Sequence, residues 1–267
     1  GGPNGPVFRL PNFGKPSRGR IVISVVVGLV LLLLFSARAT SSFYVNVLWF
    51  NSVGRSDVYW AVLRSKAELV GVFTIGCFLF LWVNLLIADR LAPLTLPNTP
   101  EDQTVIRIRE LTAKSRGKLR IALAVLIAFM LGLPASSQWQ EWTMFRNRQA
   151  FSVGDPLFKA NVGFYVFRLP FAQFVVAWSF GALVLVTIIT TAFHFINGSI
   201  RPQDRVQRVT SQAKVHLSVL LAIGTLLRAA DYWLSKYQLT SSTRSVVRGA
   251  LYTDVNAQLP ALNLMVL

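Results

Sequence analysis

Apolar residues fall in long blocks separated by polar, mostly basic segments. The blocks lie at about 21–40, 68–88, 121–139, 171–196 and 215–234, and another opens at residue 260 and continues to Leu267. A spanning helix needs roughly 20 mostly apolar residues to cross a hydrocarbon core of about 30 Å. The first five blocks approach or reach that length. The pattern predicts an all-α fold, a polytopic transmembrane helix bundle with interfacial amphipathic helices.

The connecting segments refine this picture. Residues 1–20 are rich in Pro and Gly and carry Arg9, Lys15, Arg18 and Arg20, as expected of a flexible, basic cytoplasmic leader. Residues 21–267 form the bundle. The first block follows a basic flank and precedes Ala37-Arg38-Ala39, a small-x-small triplet that fits a cleavage site; the spans that follow favour an uncleaved signal-anchor. Between the first two blocks, Trp49, Phe50, Tyr59 and Trp60 alternate with Asn51, Arg55, Asp57 and Arg64. Aromatic bodies beside charged tips predict short helices at the membrane–water interface.

Pro93, Pro97 and Pro100 break the chain after the second block. Val105, Ile106, Ile108 and Leu111 then alternate with Arg107, Arg109 and Lys114, predicting a short amphipathic helix on the bilayer surface. The third block meets Pro134 near its end and closes on Trp139 and Trp142. The chain begins Gly-Gly-Pro without Met and stops eight residues into its sixth block, so it is expected to be a piece of a longer polypeptide.

Composition supports the bilayer reading: 53% of residues are hydrophobic, 14% are charged and the mean hydropathy is +0.51. A soluble domain carries about a quarter charged residues. The 27 Lys+Arg outnumber the 11 Asp+Glu, giving a net charge of +16. These basic residues sit mainly between apolar blocks, without the stacking aromatics of a single-strand groove. No nucleic-acid partner is expected; the expected partners are the lipid bilayer, other membrane proteins or a second copy. Lys+Arg counts in the loops set orientation. Segments 1–20, 89–120 and 197–214 hold 4, 7 and 4, or 15 in all, against 11 in segments 37–66, 138–170 and 235–260. That asymmetry predicts a cell-membrane protein with its N-terminus cytoplasmic.

Candidate chemistry is sparse. Ionisable residues inside a membrane are functional candidates, and Arg228 and Asp231 lie one helical turn apart, where they can pair. Glu68 opens the second span at a similar depth, so Glu68, Arg228 and Asp231 form a candidate intramembrane polar cluster. The favoured reading has Arg228 snorkelling to headgroups while the two acids mark helix ends; a ligand or transport role and a structural ion pair are the others. His194 and His216 sit at the inner ends of adjacent antiparallel spans and could meet. Two imidazoles make a poor zinc site. A proton relay is conceivable, with plain interfacial placement favoured. Asn84 is expected to bond to a neighbouring helix.

The lone Cys77 reads as a small apolar filler. No catalytic motif, metal or cofactor site is recognised: there is no phosphate-binding Gly loop, no H-E-x-x-H and no nucleophile elbow. Arg64-Ser65-Lys66 lacks a nearby acid or histidine and reads as a basic patch.

Six segments stand in a characteristic order: VLWFNSVG, SSQWQEWTMF, DPLFKANVGFYVFRLPF, VHLSVLL, DYWLSKYQL and YTDVNAQLPA. Together they resemble the N-terminal membrane part of uncharacterised protein family 0182 of actinobacteria and some other bacteria. The resemblance implies seven spans followed by a large extracytoplasmic domain, and no established activity or catalytic residue. It is consistent with an envelope scaffold or a protein related to lipid or amphiphile transport. The alternative is a membrane enzyme whose catalytic groups lie in a C-terminal part beyond this chain. Aromatic-polar signatures concentrate in the outer loops, which makes the outer face the expected working face.

Overall fold

In a computed structural model, residues 18–93, 116–201, 208–242 and 249–267 are described. The basic leader up to residue 17, the amphipathic segment at 105–111 and Arg205 lie outside them. The described residues are helical almost throughout and form no strand, only two isolated bridges. The helices are α1 (Arg18–Ser52), α2 (Ser56–Arg90), α3 (Arg116–Gly132), α4 (Trp139–Arg146), α5 (Leu169–Ile196), α6 (Ser211–Gln238) and α7 (Leu259–Val266). Five helical stretches are long and apolar enough to cross a membrane: Val22–Ser52, Ser56–Arg90, Gly117–Arg146, Phe164–Ile196 and Ser211–Ser241.

The chain divides into two compact units, residues 1–61 and 62–267. In the first, α1 ends at a tight elbow in which Gly54 adopts φ +69° and the Arg55 amide donates to the Phe50 carbonyl at 2.8 Å. Only glycine takes that left-handed conformation without strain. Phe43, Phe50, Tyr59 and Trp60 pack around the elbow, Phe50 and Tyr59 with ring centroids 5.3 Å apart. The separate short interfacial helices expected here are instead the end of α1 and the beginning of α2. The charges of Arg55 and Asp57 fall at the turn and the first helical positions, where they interrupt no hydrogen-bonded run.

In the second unit, α2 is the central strut. Its buried residues Leu69, Phe73, Cys77, Leu81, Leu85 and Ala88 recur mostly every fourth residue, one stripe along one face. The stripe feeds two apolar clusters. Leu69, Phe73, Ala135 and Phe171 meet Trp139, Trp142 and Trp178 near one end. Leu81, Leu85, Ala124 and Val186 meet Phe78, Ile127 and Phe193 toward the other. Opposite α2, α3 presents Ala124, Ala128 and Gly132 at four-residue spacing, and both alanines are fully buried. Small residues let two membrane helices approach closely.

Prolines shape the irregular segments. Pro134 lacks an N–H, and α3 tightens there into 3-10 helix over Leu133–Gln138 before continuing as α4. Pro170 and Pro260 each follow a wide π-type turn, Phe164–Arg168 and Asp254–Gln258. In both, the residue before proline donates five residues back, Leu169 to Phe164 and Leu259 to Asp254. A proline ring collides with the carbonyl four residues earlier, and the wider turn moves that carbonyl aside.

Candidate functional site

Polar side chains gather at both ends of the second unit, and each gathering is built by helix register. At the Trp142 end, Glu68 accepts hydrogen bonds from Arg64 (3.1 Å), Trp142 Nε1 (3.1 Å) and Arg146 (2.9 Å). The last two reach it because α3 continues through its 3-10 stretch into α4, carrying Trp142 and Arg146 back over α2. Arg228 and Asp231 pair on α6 at 2.9 Å, one helical turn apart. The Arg228 guanidinium also lies 5.1 Å from the ring centres of Phe180 and Tyr232, a cation–π arrangement. No hydrogen bond or ion pair among the described residues joins Glu68 to this pair. The structure thus brings together Arg228 and Asp231, and gives Glu68 other partners that sequence spacing did not reveal.

Arg228 lines an apolar groove of about 540 Å³ between α5, α6 and α7, with Leu183, Val184, Leu220, Gly224 and Met265. Tyr232 forms part of this groove and of an adjoining polar pocket of about 470 Å³ that includes Asp231, Ser235, Gln238 and Gln258. An apolar groove and a hydroxyl- and amide-lined pocket that share Tyr232, with an ion pair divided between them, have the polarity profile of an amphiphile.

Two of the six motif segments build the connection beside this pocket. In residues 147–163, Asn161 Oδ1 accepts from the amides of Phe151 (3.0 Å) and Gly163 (2.8 Å), while its Nδ2 donates to the Phe151 carbonyl. Asp155 Oδ2 accepts from the Phe158 amide at 2.6 Å and from the Tyr165 hydroxyl at 3.3 Å. Phe158 and Phe164 then pack on Tyr237 of α6 with centroids 4.9 and 5.1 Å apart. The polar residues of DPLFKANVG therefore hold the segment's own backbone, and its aromatics fasten it to α6.

At the opposite end, His194 of α5 and His216 of α6 meet: Nε2 of the first lies 3.0 Å from Nδ1 of the second. His216 Nε2 lies 3.0 Å from Asn84 Oδ1 on α2, so three helices share one buried line. Nearby, Asp89 receives Arg120 of α3 at 2.5 Å and Asn197 Nδ2 at 3.0 Å, which also reaches the Ala88 carbonyl at 3.3 Å. Asn197 therefore covers the carboxyl end of α2, where helix carbonyls lack partners within the helix. Asn197 and Asp89 escaped the sequence reading because both sit at helix ends, where a polar residue is unremarkable by pattern alone. Among the described residues, no three His, Cys, Asp or Glu side chains gather as a metal-ligating group.

Comparison with known proteins gives these features a context. No solved structure matches the chain. A UPF0182 protein from Thermobifida fusca is 35% identical over 254 residues, covering 94% of this chain and 25% of the relative. One from Nocardioides sp. is 33% identical over 256 residues, covering 94% and 26%. The Rhodococcus jostii protein RHA1_ro06389 is 36% identical over 261 residues, covering 96% and 26%. The chain thus spans about a quarter of the length of these curated relatives. The family pattern itself runs through residues 22–267, across every helix from α1 to α7, and the chain belongs to the Uncharacterised protein family (UPF0182).

Proposed function

We propose that this chain is the membrane part of an envelope protein, N-terminus cytoplasmic in the cell membrane, which anchors an extracytoplasmic domain and receives an amphiphile between α5, α6 and α7. The observation that carries the amphiphile reading is the 540 Å³ apolar groove lined in part by Arg228, next to a 470 Å³ polar pocket that shares Tyr232 and holds Asp231, its ion-pair partner. Acyl carbons fit the Leu, Val and Met lining. A headgroup carrying both charges fits the pair, its phosphate against Arg228 and its ammonium against Asp231. Ser235 and Gln238 offer further hydrogen bonds. The loop charge asymmetry supports the orientation, and the fourfold greater length of the relatives leaves room for the anchored domain.

Lipid retention tests this reading. The chain is assembled in nanodiscs of phosphatidylethanolamine and phosphatidylglycerol, extracted gently, and weighed by native mass spectrometry. Phosphatidylethanolamine adducts are expected on the wild type. R228Q is expected to retain them about tenfold less well, the equivalent of about 1.4 kcal/mol and close to one hydrogen bond to a charged group. G224L, which fills the groove and spares the ion pair, should lose them as well. Adducts of equal abundance on all three proteins, or none on the wild type, would remove the amphiphile reading and leave the anchor.

A further inference from the structure

The chain has two histidines, and the fold joins them in one buried line at the end of the bundle away from the Arg228 groove. His194 is wholly buried and His216 is 7% exposed. Their hydrogen positions follow from the neighbours. Asn84 Nδ2 donates to the Phe80 carbonyl at 2.7 Å, which turns its Oδ1 toward His216 Nε2. That oxygen only accepts, so His216 Nε2 carries a hydrogen. In the neutral ring, His216 Nδ1 is then bare and accepts, and His194 Nε2 is the donor facing it. The remaining ring nitrogen, His194 Nδ1, is therefore a bare acceptor.

His194 Nδ1 is buried and has no hydrogen-bond partner among the described residues. The hydroxyls of Thr190 and Ser199 are in the same condition, in residues 0% and 1% exposed. Thr190 lies one turn before His194 on the same face of α5, and the Ser199 amide donates to the His194 carbonyl at 2.8 Å. A buried polar atom without a partner costs about 1–3 kcal/mol. Three such atoms, on His194, on the residue one turn before it and on the residue whose amide bonds its carbonyl, are polar partners of the kind a buried water takes, two to four at a time.

We propose that His194 Nδ1 is a single-proton binding site, supplied through a water molecule held between it, Thr190 and Ser199. The water, as hydronium, passes one proton to the Nδ1 lone pair and remains as neutral water; His194 becomes imidazolium. Its Nε2–H still donates to His216 Nδ1, and His216 Nε2–H still donates to Asn84, so no other bond in the line changes. A second proton has no place, because it would set an N–H of His216 against the N–H of His194. The charged groups at this end include Asp89, held by Arg120 and Asn197, together with Arg90, Arg116, Lys118, Arg201, Arg208 and Lys214. Asp89 favours uptake and the cations oppose it. The site would thus add one positive charge between α2, α5 and α6 when protons are abundant on its side.

Solid-state NMR of the 267-residue chain in lipid vesicles tests the site, since labelling histidine with nitrogen-15 reports these two rings alone. At about pH 8, both rings are expected to carry hydrogen on Nε2 and none on Nδ1. Between about pH 8 and pH 5, the range in which histidine switches, one ring is expected to gain a second N–H while the other stays neutral. Magnetisation should pass from water to His194 Nδ1. T190V and S199A should lose that transfer while preserving the coupling between the two rings. Hydrogen on Nδ1 of His194 at pH 8, protonation of both rings together, or two rings that stay neutral with no contact to water would overturn the proposal.

Discussion

Gly132 of α3 lies against Thr74 of α2. A Cβ at this position would run into the Thr74 hydroxyl and lie 2.8 Å from the Cα and N of the same residue, so turning that side chain away would still leave the backbone contact. G132A should push the two helices apart and cost about 1–3 kcal/mol, the range for overpacking a tight contact. Gly181 on α5 provides the contrast, because a Cβ there would meet nothing within 4 Å. G181A should leave stability unchanged or raise it by up to about 1 kcal/mol through helix propensity. Thermal unfolding of both variants in one detergent checks the pair, and equal midpoints would show that the α2–α3 approach has slack.

At the scale of elements, the two π-type turns each join a polar connection to a helix that begins Leu-Pro. Pro170 is the cause at the first. With alanine there, the N–H can donate to Val166 and the chain can close into ordinary α-helix. Removing the wide turn's extra residue rotates what precedes it by about 100° relative to α5. Phe164 and Tyr165 would then turn away from Tyr237 and Asp155, and the 147–163 connection would lose its fastening. P170A is therefore expected to speed amide hydrogen exchange at Phe158 and Gly163 while exchange in the middle of α5 stays slow. Unchanged exchange would mean that the Asn161 bonds hold the connection without help from the aromatics. Long apolar helices were legible in the sequence because span length is a property of one segment, and the α1–α2 elbow was not, because a turn of three residues leaves no period. Pro170 was the available signal for the wide turn, yet proline alone does not distinguish a kink from a helix start. Partners across helices were the least legible. Glu68 meets Trp142 and Arg146 only through the register that α3 and α4 share across Pro134, whereas His194 and His216, at matching ends of consecutive spans, could be expected to meet and do.

For the whole molecule, the two ends of the second unit differ in kind. One carries Asp89, Arg120, Asn197 and the histidine line; the other carries Glu68, the aromatic-rich 3-10 and α4 segment, and the Arg228 groove. In the sequence, segments 89–120 and 197–214, which adjoin the helix ends at the first end, hold 11 Lys+Arg against 7 in segments 138–170 and 235–260. Basic loops are retained on the cytoplasmic side, so the proposed orientation would put the histidine line on that side and the groove in the outer leaflet. Cysteine labelling decides this, because Cys77 is the chain's one cysteine and is buried among α2 contacts, so C77A yields a cysteine-free background. In that background, S152C should react with a membrane-impermeant maleimide on intact cells, and K15C should react only after the cells are opened. The reverse pattern would invert the protein, placing the Arg228 groove in the inner leaflet and exposing the proton site to the outside. Reaction of both positions on intact cells would mean an even number of crossings between them, and one of the helices from α1 to α3 would then have to lie outside the bilayer.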